Sequence, residues 1–268
     1  MLYFVATPIG NLKDITLRAL DVFKEADVIA CEDTRHSATL LNAYDIKKPL
    51  IAYHKFNENN SCEGIIKLLK EGKTVAVISD AGTPLISDPG SVLCKRLIAE
   101  QLPFTVIPGA CAFVPALILS GMSGGKFYFF GFLPEKNADV KRELALIKDL
   151  TCPLVFYTAP HDVDKTVQRL FDVFGDRTAV AVREITKLHE QAVPFKLSEG
   201  FSGEKRGEFV IIVSGADNIK KYPEDVSEHL QSYIDGGLEK KDAIKQVAKD
   251  RGVTKNEIYK LFLGNEEK

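Results

Sequence analysis

The sequence lacks the usual signatures of several large classes of enzymes. No G-x-G-x-x-G follows the first predicted strand, where residues 7–11 read TPIGN, so neither a dinucleotide site nor the common Rossmann type of methyl-donor site is supported. No G-x-S-x-G nucleophile elbow is present either. The GMSGGK segment at residues 121–126 lacks the first glycine of a phosphate loop and the Ser or Thr after its lysine, so it indicates a turn.

Paired metal ligands and disulfide partners are also missing. The five cysteines are an odd number without a C-x-x-C pair, and the five histidines show no H-x-x-x-H spacing. Such cysteines are typical of reduced, mostly buried thiols in a reducing compartment, and isolated histidines are more often structural than metal-ligating. The sequence therefore predicts no metal site.

Neither the charge nor the hydrophobic runs point to a nucleic acid or a membrane. Lys and Arg number 35 against 37 Asp and Glu, for a formal net charge of −2, so any contact with RNA or DNA must be local. The longest apolar stretch, residues 110–120, is too short to span a bilayer and contains Pro115. Met1 is followed by a strand-like run without the charged start of a signal peptide. We expect a soluble, cytoplasmic protein without membrane contact.

Predicted strands and helices alternate over most of the chain. Apolar runs such as residues 73–78 and 104–107 predict buried strands, and amphipathic segments such as residues 92–101 and 163–174 predict helices. This alternation predicts the α/β class with largely parallel sheets. Before a last strand at residues 209–214, a glycine-rich segment predicts a hairpin or an exposed loop. The expected domains are an N-terminal α/β domain at residues 1–120, a second α/β domain at 121–222 and a helical tail at 223–268.

The tail has the pattern of a helix-turn-helix. Gly252 separates two apolar helical faces, and Thr254 and Glu257 have the spacing of a capping box, so a helix should begin at Lys255. A simple helical hairpin would show the same pattern. Acidic Asp250 and Glu257 lie among the residues that could touch nucleic acid, which weakens that interpretation.

The loop at residues 79–90, SDAGTPLISDPG, is the most informative segment. It follows a predicted buried strand, and ligands of open α/β sheets bind at the carboxyl ends of strands. Gly82 and Gly90 permit a positive φ, and the loop contains no Lys or Arg. An ordinary connection between a strand and a helix is the alternative, but such connections usually need only about 2 to 6 residues.

Other loops of small residues follow predicted strands in both halves of the chain, at residues 7–8, 108–110, 159–160 and 215–216. This arrangement predicts a ligand held in a cleft between two domains. None of these loops carries a cation suited to phosphates, so we expect a nucleoside with an uncharged or cationic appendage rather than a nucleotide.

Four motifs together resemble a known family. TPIGNL at residues 7–12, CEDTR at 31–35, SDAGTPLISDPG at 79–90 and VIPGA at 106–110 are similar to those of the bacterial 16S ribosomal RNA cytidine 2'-O-ribose methyltransferases. These enzymes belong to the tetrapyrrole methylase superfamily, whose members bind S-adenosylmethionine in a cleft between two α/β domains. The resemblance covers residues 1 to about 220 in order, and the tail resembles the small helical domain of that subfamily.

The resemblance implies a set of residues that contact the cofactor S-adenosylmethionine: Pro8, Asp80, Ala81, Gly82, Thr83, Ala110, Cys111, Ala112, Tyr157 and Ala216. Cys111 stands where many relatives carry Ser or another small residue. A sulfonium is already an activated methyl donor, so the protein needs chiefly to place the ribose oxygen in line and exclude water, without a metal. Within the long loop, we expect residues 80–84 to face the donor and residues 85–90 to shape the following helix or the acceptor side. Asp88 should then not be needed for donor binding.

A carboxylate could accept the proton of the ribose hydroxyl. The candidates at strand ends are Glu32, Asp33, Asp80 and Glu184. Structural roles are the alternative for these residues: an ion pair of Glu32 or Asp33 with Arg35, or a loop cap by Asp80. Positioning of the ribose oxygen could also suffice without any proton acceptor. A further hypothesis is that four cationic side chains bind the phosphates of the RNA: Arg35, Lys55, Lys205 and Arg206.

Three functions compete at this stage. The first is methyl transfer to 16S RNA within the 30S subunit, with a homodimer implied by the resemblance. The second is C-methylation of a tetrapyrrole, against which the tail and the EDTR motif argue. The third is a non-enzymatic, nucleoside-sensing regulator that binds DNA through residues 238–263, and the near-neutral charge of that segment argues against it.

Overall fold

The computed structural model describes residues 1–53, 58–122, 124–217, 222–223 and 225–263. Contacts within the chain divide it into two compact units, Met1–Ala216 and Asp217–Lys268. The first unit contains two five-stranded sheets. No helix of the described ranges is long and apolar enough to cross a membrane.

The first sheet is entirely parallel, as predicted, with the order β3-β2-β4-β1-β5. Its central strand β4 is buried throughout because its residues are apolar and face helices on both sides of the sheet. All five carboxyl ends therefore meet at one edge. The strands are β1 (Leu2–Val5), β2 (Val28–Cys31), β3 (Leu50–Ala52), β4 (Val75–Ile78) and β5 (Phe104–Ile107).

Helices cover both faces of this sheet. Phe23 and Leu41 belong to the core on one face, and Ile65 and Leu97 belong to the core on the other. The chain is therefore doubly wound, with its connecting loops at the edge where open α/β sheets bind ligands. The helices are α1 (Leu17–Glu25), α2 (Thr34–Asn42), α3 (Glu58–Lys70) and α4 (Ser91–Ala99).

The second sheet is mixed, so the prediction of largely parallel sheets is wrong for this half. Its order is β6-β7-β10-β8-β9, and only β6 and β7 pair in parallel. The short connection without a helix between β8 and β9 favours their antiparallel pairing, because a parallel crossover needs a long connection. The elements are β6 (Tyr128–Phe132), α6 (Asn137–Ile147), β7 (Leu154–Thr158), α7 (Val163–Phe174), β8 (Thr178–Arg183), β9 (Gln191–Lys196) and β10 (Phe209–Val213), with α5 (Phe113–Leu119) packed on this sheet.

Two elements were not predicted because each contains a proline. Pro194 lies in β9, an edge strand, where a missing N–H is tolerated. Pro115 is the third residue of α5, within the first turn, where backbone N–H groups need no partner inside the helix. Ala116 and Leu117 pack against the second sheet, so α5 belongs with that sheet although the predicted boundary at residue 120 placed it in the first domain.

The second unit consists of three helices, α8 (Val226–Asp235), α9 (Lys240–Arg251) and α10 (Lys255–Leu263). Gly252 ends α9 in the left-handed region with φ 67°. The predicted capping box is present, because the backbone N–H of Thr254 donates to Glu257 across 2.6 Å and the N–H of Glu257 donates to Oγ1 of Thr254 across 3.3 Å. The predicted start of α10 at Lys255 is confirmed, and two helices joined by a tight turn fit both the helix-turn-helix and the simple helical hairpin.

Candidate active site

Hydrogen bonds join the loops that follow β1, β4 and β5. The backbone groups of Thr7 and Gly82 bond to each other in both directions, across 2.9 and 3.0 Å. Oγ1 of Thr83 donates to the carbonyl of Ala110 across 3.0 Å. The predicted ligand loops therefore form one connected surface at the carboxyl edge of the first sheet.

The loop at residues 79–90 holds a strained backbone. Leu85 and Ser87 have φ 71° and 69°, and Gly82 has φ 81°. Only glycine adopts this region without cost, and such strain at bulkier residues tends to occur at functional sites. A Cβ on Gly82 would also lie 3.3 Å from Cγ2 of Ile9, so glycine permits the close approach of these two loops.

A cavity of about 450 Å³ lies between the two sheets. This volume falls in the range of sites for small molecules and cofactors, about 300–1,000 Å³. Its lining includes seven of the residues predicted to contact the cofactor: Asp80, Ala81, Gly82, Thr83, Cys111, Ala112 and Tyr157.

The other three predicted cofactor residues lie outside this lining. Pro8 lines a smaller adjoining cavity, and Ala110 lies behind the wall, where its carbonyl accepts the bond from Thr83. The structure corrects the prediction that Ala216 contacts the cofactor. It follows β10, which is antiparallel to β7, so it lies at the opposite end of the sheet, with its N–H bonded to the carbonyl of Leu150.

Tyr157 forms part of the wall contributed by the second sheet. Its hydroxyl accepts a hydrogen bond from the backbone N–H of Phe113 across 3.3 Å, and its ring packs against Phe129 and Phe132. Burial raises the pKa of the Tyr157 hydroxyl and of the Cys111 thiol, so both groups are neutral at physiological pH. This side of the cavity is therefore apolar and uncharged.

The charged residues that line this cavity are all acidic: Glu32, Asp80, Asp88 and Glu208. Burial, and to a smaller extent the other three carboxylates, raise the pKa of Asp88 to about 6, against a hydrogen bond from Ser79 that lowers it. A cavity of this charge favours a cationic ligand and disfavours a phosphate. Despite these carboxylates, no cluster of three His, Cys, Asp or Glu in the described ranges could hold a metal ion.

Sequence reasoning missed Asp88 and Glu208 as site residues. Asp88 belongs to the recognised loop. Residues 86–88 line the same cavity as residues 80–83, and which of these two parts of the loop contacts the donor stays a prediction. Glu208 immediately precedes β10, and only the antiparallel direction of that strand brings it to the cleft. No local pattern in the sequence marks it.

The four proton-acceptor candidates separate into two pairs. Glu32 and Asp80 line the main cavity. Asp33 instead caps α2 by accepting the N–H of Arg35 across 2.8 Å, a bond that lowers the pKa of its carboxyl, and it forms an ion pair with the Arg35 guanidinium at 3.6 Å. Glu184 lies outside the main cavity and pairs with Lys187 at 2.9 Å.

Three of the four predicted RNA-binding cations lie in the described part of the chain, each near a carboxylate. Arg35 is largely exposed beside the cleft, with 92% of its side chain accessible. Lys205 pairs with Asp164 at 2.7 Å, and the guanidinium of Arg206 lies 3.7 Å from Glu204. Lys55 lies outside the described residues.

Comparison with known proteins identifies the family. A model of the tetrapyrrole (corrin/porphyrin) methylases matches residues 1–199. A protein of Bacillus subtilis (strain 168) named ribosomal RNA small subunit methyltransferase I is 40% identical over 273 residues, covering 98% of this chain and 94% of the relative. A protein of the same name from Thermotoga maritima is 42% identical over 220 residues, covering 81% of this chain and 99% of the relative.

A solved structure shows the same fold. Uroporphyrin-III C-methyltransferase from Thermus thermophilus, complexed with S-adenosyl homocysteine, matches with a TM-score of 0.56 at 17% identity, covering 80% of this chain and 97% of that chain. The chain belongs to the tetrapyrrole methylases. The predicted family, the two-sheet fold with a helical tail, and the methyl donor S-adenosylmethionine are thereby confirmed.

Proposed function

We propose that the protein transfers a methyl group from S-adenosylmethionine to the ribose 2'-hydroxyl of a cytidine in 16S RNA of the small ribosomal subunit. The observation that carries the proposal is a cleft lined by loops that resemble those of the subfamily, whose charged groups among the described residues are carboxylates. Relatives about 40% identical over nearly the whole chain carry the name of small-subunit RNA methyltransferases. The sugar hydroxyl and the cytidine come from the resemblance of the motifs.

The residues of the main cavity fit the donor. Asp80 and Asp88 face a ligand that carries a sulfonium and an ammonium, while Cys111, Ala112 and Tyr157 supply an apolar wall. When bound, S-adenosylmethionine supplies an already activated methyl group. The protein's own task is therefore to orient the acceptor and to exclude water from the cleft.

The ribose oxygen must lose its proton as it gains the methyl group. Of the candidates, Glu32 and Asp80 line the cavity in which this occurs, and Asp80 also borders the adjoining cavity. We therefore propose Asp80 or Glu32 as the proton acceptor. Asp33 and Glu184 hold the surrounding loops through a helix cap and an ion pair.

The two competing functions have weaker support. Solved structures of tetrapyrrole methylases share only 15–19% identity with this chain, which supports the fold and not the substrate. A regulator without enzymatic activity would not need the complete set of loops around the cavity. In the three-helix unit, exposed Glu257 lies between Lys255 and Lys260, which weakens attraction to DNA. The Asp250 side chain is buried beside His229 and Tyr233 and does not contribute to this surface.

RNA contacts and localisation follow from this substrate. Arg35, Lys205 and Arg206 are exposed enough to exchange their carboxylate partners for phosphates, and Lys55 completes the proposed set. Action on the 30S subunit makes the cytoplasm the proposed location.

We also propose a homodimer through the edge strands β5 and β6. Val106 is 48% exposed on β5, Tyr128 is 40% exposed on β6, and Ile118 on α5 is 65% exposed. Edge strands with exposed apolar side chains favour association with another chain. Sedimentation at micromolar concentration tests this: Ile118→Asp should yield monomers, whereas Leu146→Asp, at an exposed position on α6, should not. An unchanged dimer in Ile118→Asp, or a monomeric wild type, contradicts the proposal.

The proposed activity is tested with subunits that lack the modification. Purified protein, labelled S-adenosylmethionine and 30S or 50S subunits are incubated, and the RNA is separated from protein. Label in 16S RNA alone supports the proposal. Label in neither RNA, or only in an added tetrapyrrole, refutes it.

A further inference from the structure

A second cavity of about 310 Å³ adjoins the main cavity. The two share a wall formed by Ile9, Asp80, Ala81 and Glu208. A group held in the second cavity therefore lies next to the residues that face the donor without taking the donor's space. A methyl donor and its acceptor must lie next to each other in this way for the methyl group to pass between them.

The charges of the two cavities differ. The lining of the main cavity includes no Lys, Arg or His among the described residues, whereas Lys187 and His36 line the second. The main cavity thus suits a cation. In the second, Lys187 pairs with Glu184 at 2.9 Å, so a ligand phosphate that replaces this carboxylate would find a cation to bind.

One face of α2 forms an apolar side of the second cavity. Thr39 and Leu40 line this cavity together with the capping residue Ala43, which lies one helical turn further on, and Leu12 lines the same cavity. Thr39 and Ala43 are exposed, whereas Leu40 is buried, so part of this face is open to solvent. Proteins that recognise single-stranded RNA hold unstacked bases against side chains, so this face could receive a base.

The segment that carries Lys187 is strained. Glu184 and Thr186 have φ 50° and 68°, and the buried Oγ1 of Thr186 has no hydrogen-bond partner among the described residues. A Cβ on Gly10 would lie 2.6 Å from Cγ of Lys187, so the lysine side chain rests on the glycine of the TPIGN loop. Strain of 1–3 kcal/mol or so per residue persists where surrounding structure enforces it, typically at functional sites.

We propose that the second cavity binds the acceptor nucleotide of the RNA, with its base against α2 and a neighbouring phosphate on Lys187. This inference rests on the proposed RNA methyl transfer and adds the residues that receive the acceptor. The shared wall at Asp80 and Glu208 then lies where the ribose meets the donor cavity. The nucleotide must be unstacked from its neighbours to enter.

The first test blocks the second cavity with a large side chain introduced at an exposed residue of its lining. Ala43→Phe adds a ring on the cavity face of α2, and Asn42→Phe adds the same ring at an adjacent exposed residue outside the cavity. We expect Ala43→Phe to reduce kcat/KM for unmodified 30S subunits, and their equilibrium binding, by roughly tenfold or more. Donor affinity, measured by calorimetry, should stay within about twofold in both variants, and Asn42→Phe should behave as wild type.

A second variant tests the lysine. Lys187→Gln should lower the slope of log affinity for 30S subunits against log salt by about one, while Lys24→Gln, at an exposed position on α1, should leave the slope unchanged. Unchanged subunit binding in both Ala43→Phe and Lys187→Gln would overturn the inference. Equal loss of donor and subunit binding in Ala43→Phe also overturns it, because the cavity would then belong to the donor. If the wild type binds subunits without methylating them, the proposed function fails, and the binding comparison still decides what the cavity holds.

Discussion

Oδ1 of Asp80 accepts a hydrogen bond from the backbone N–H of Asp33 across 3.1 Å. Asp33 in turn caps α2, whose outer face lines the second cavity. Through this bond, the loop that follows β4 is connected to the helix that follows β2. Asp80 therefore has two separable roles, as a negative charge in the cleft and as a structural acceptor.

Two substitutions of Asp80 separate these roles. Asp80→Asn removes the charge and keeps an oxygen that can accept the bond, whereas Asp80→Ala removes both. We expect both variants to bind S-adenosylmethionine at least about tenfold more weakly, and only Asp80→Ala to lose about 1 kcal/mol of unfolding free energy. Calorimetry and urea unfolding measure the two effects. Full donor affinity in Asp80→Asn would contradict the electrostatic role.

Asp88 should make donor binding depend on pH. Its pKa of about 6 in the folded protein means that it is protonated below pH 6 and ionised above it. A cationic donor favours the ionised form, so affinity should rise with pH and fall by up to about tenfold per pH unit below pH 6. Asp88→Asn should flatten this dependence between pH 5 and 7.

Comparing Asp88→Asn with the wild type separates the effect of Asp88 from that of the neighbouring carboxylates. Glu32, Asp80 and Glu208 face the same cavity and remain in Asp88→Asn, so any dependence that they cause is retained. Calorimetric titrations at several pH values give the comparison. Identical pH profiles for wild type and variant would show that Asp88 does not titrate in donor binding.

The bond from Thr83 to Ala110 should contribute to the shape of the donor wall. Thr83→Val keeps the size of the side chain and removes the hydroxyl donor, leaving the carbonyl of Ala110 without this partner. We expect a loss of about 1 kcal/mol in unfolding free energy and a several-fold weaker donor affinity. Thr105→Val, at an exposed position on β5, serves as the control. Unchanged donor affinity in Thr83→Val would exclude this positioning role.

The capping box of the three-helix unit should determine the local stability of α10. Thr254→Ala removes one of the two reciprocal cap bonds, with an expected cost of about 1 kcal/mol. Hydrogen exchange of the α10 amides should accelerate about fivefold. Asn256→Ala, which leaves the box intact, should show no such acceleration, and equal rates in both variants would mean that the box does not hold the helix.

The first sheet and its loops could be predicted from the sequence because their signals are local. Buried β-branched runs such as β4 end in polar, glycine-containing loops, and parallel order places these loops at one edge. The direction of β10 is not local, since it depends on pairing with β7 and β8. For that reason the prediction placed Ala216 at the site and missed Glu208. The burial of Asp88 likewise depends on the second sheet closing the cleft.

The most direct test of the proposed activity is the chemical position of the transferred methyl group. 16S RNA from 30S subunits labelled with methyl-tritiated S-adenosylmethionine is digested with alkali, which cannot cleave next to a 2'-O-methylated ribose. We predict that the label appears in an alkali-stable dinucleotide whose first nucleoside is 2'-O-methylcytidine. Label recovered on a base, on another nucleoside or not at all would contradict the proposed activity.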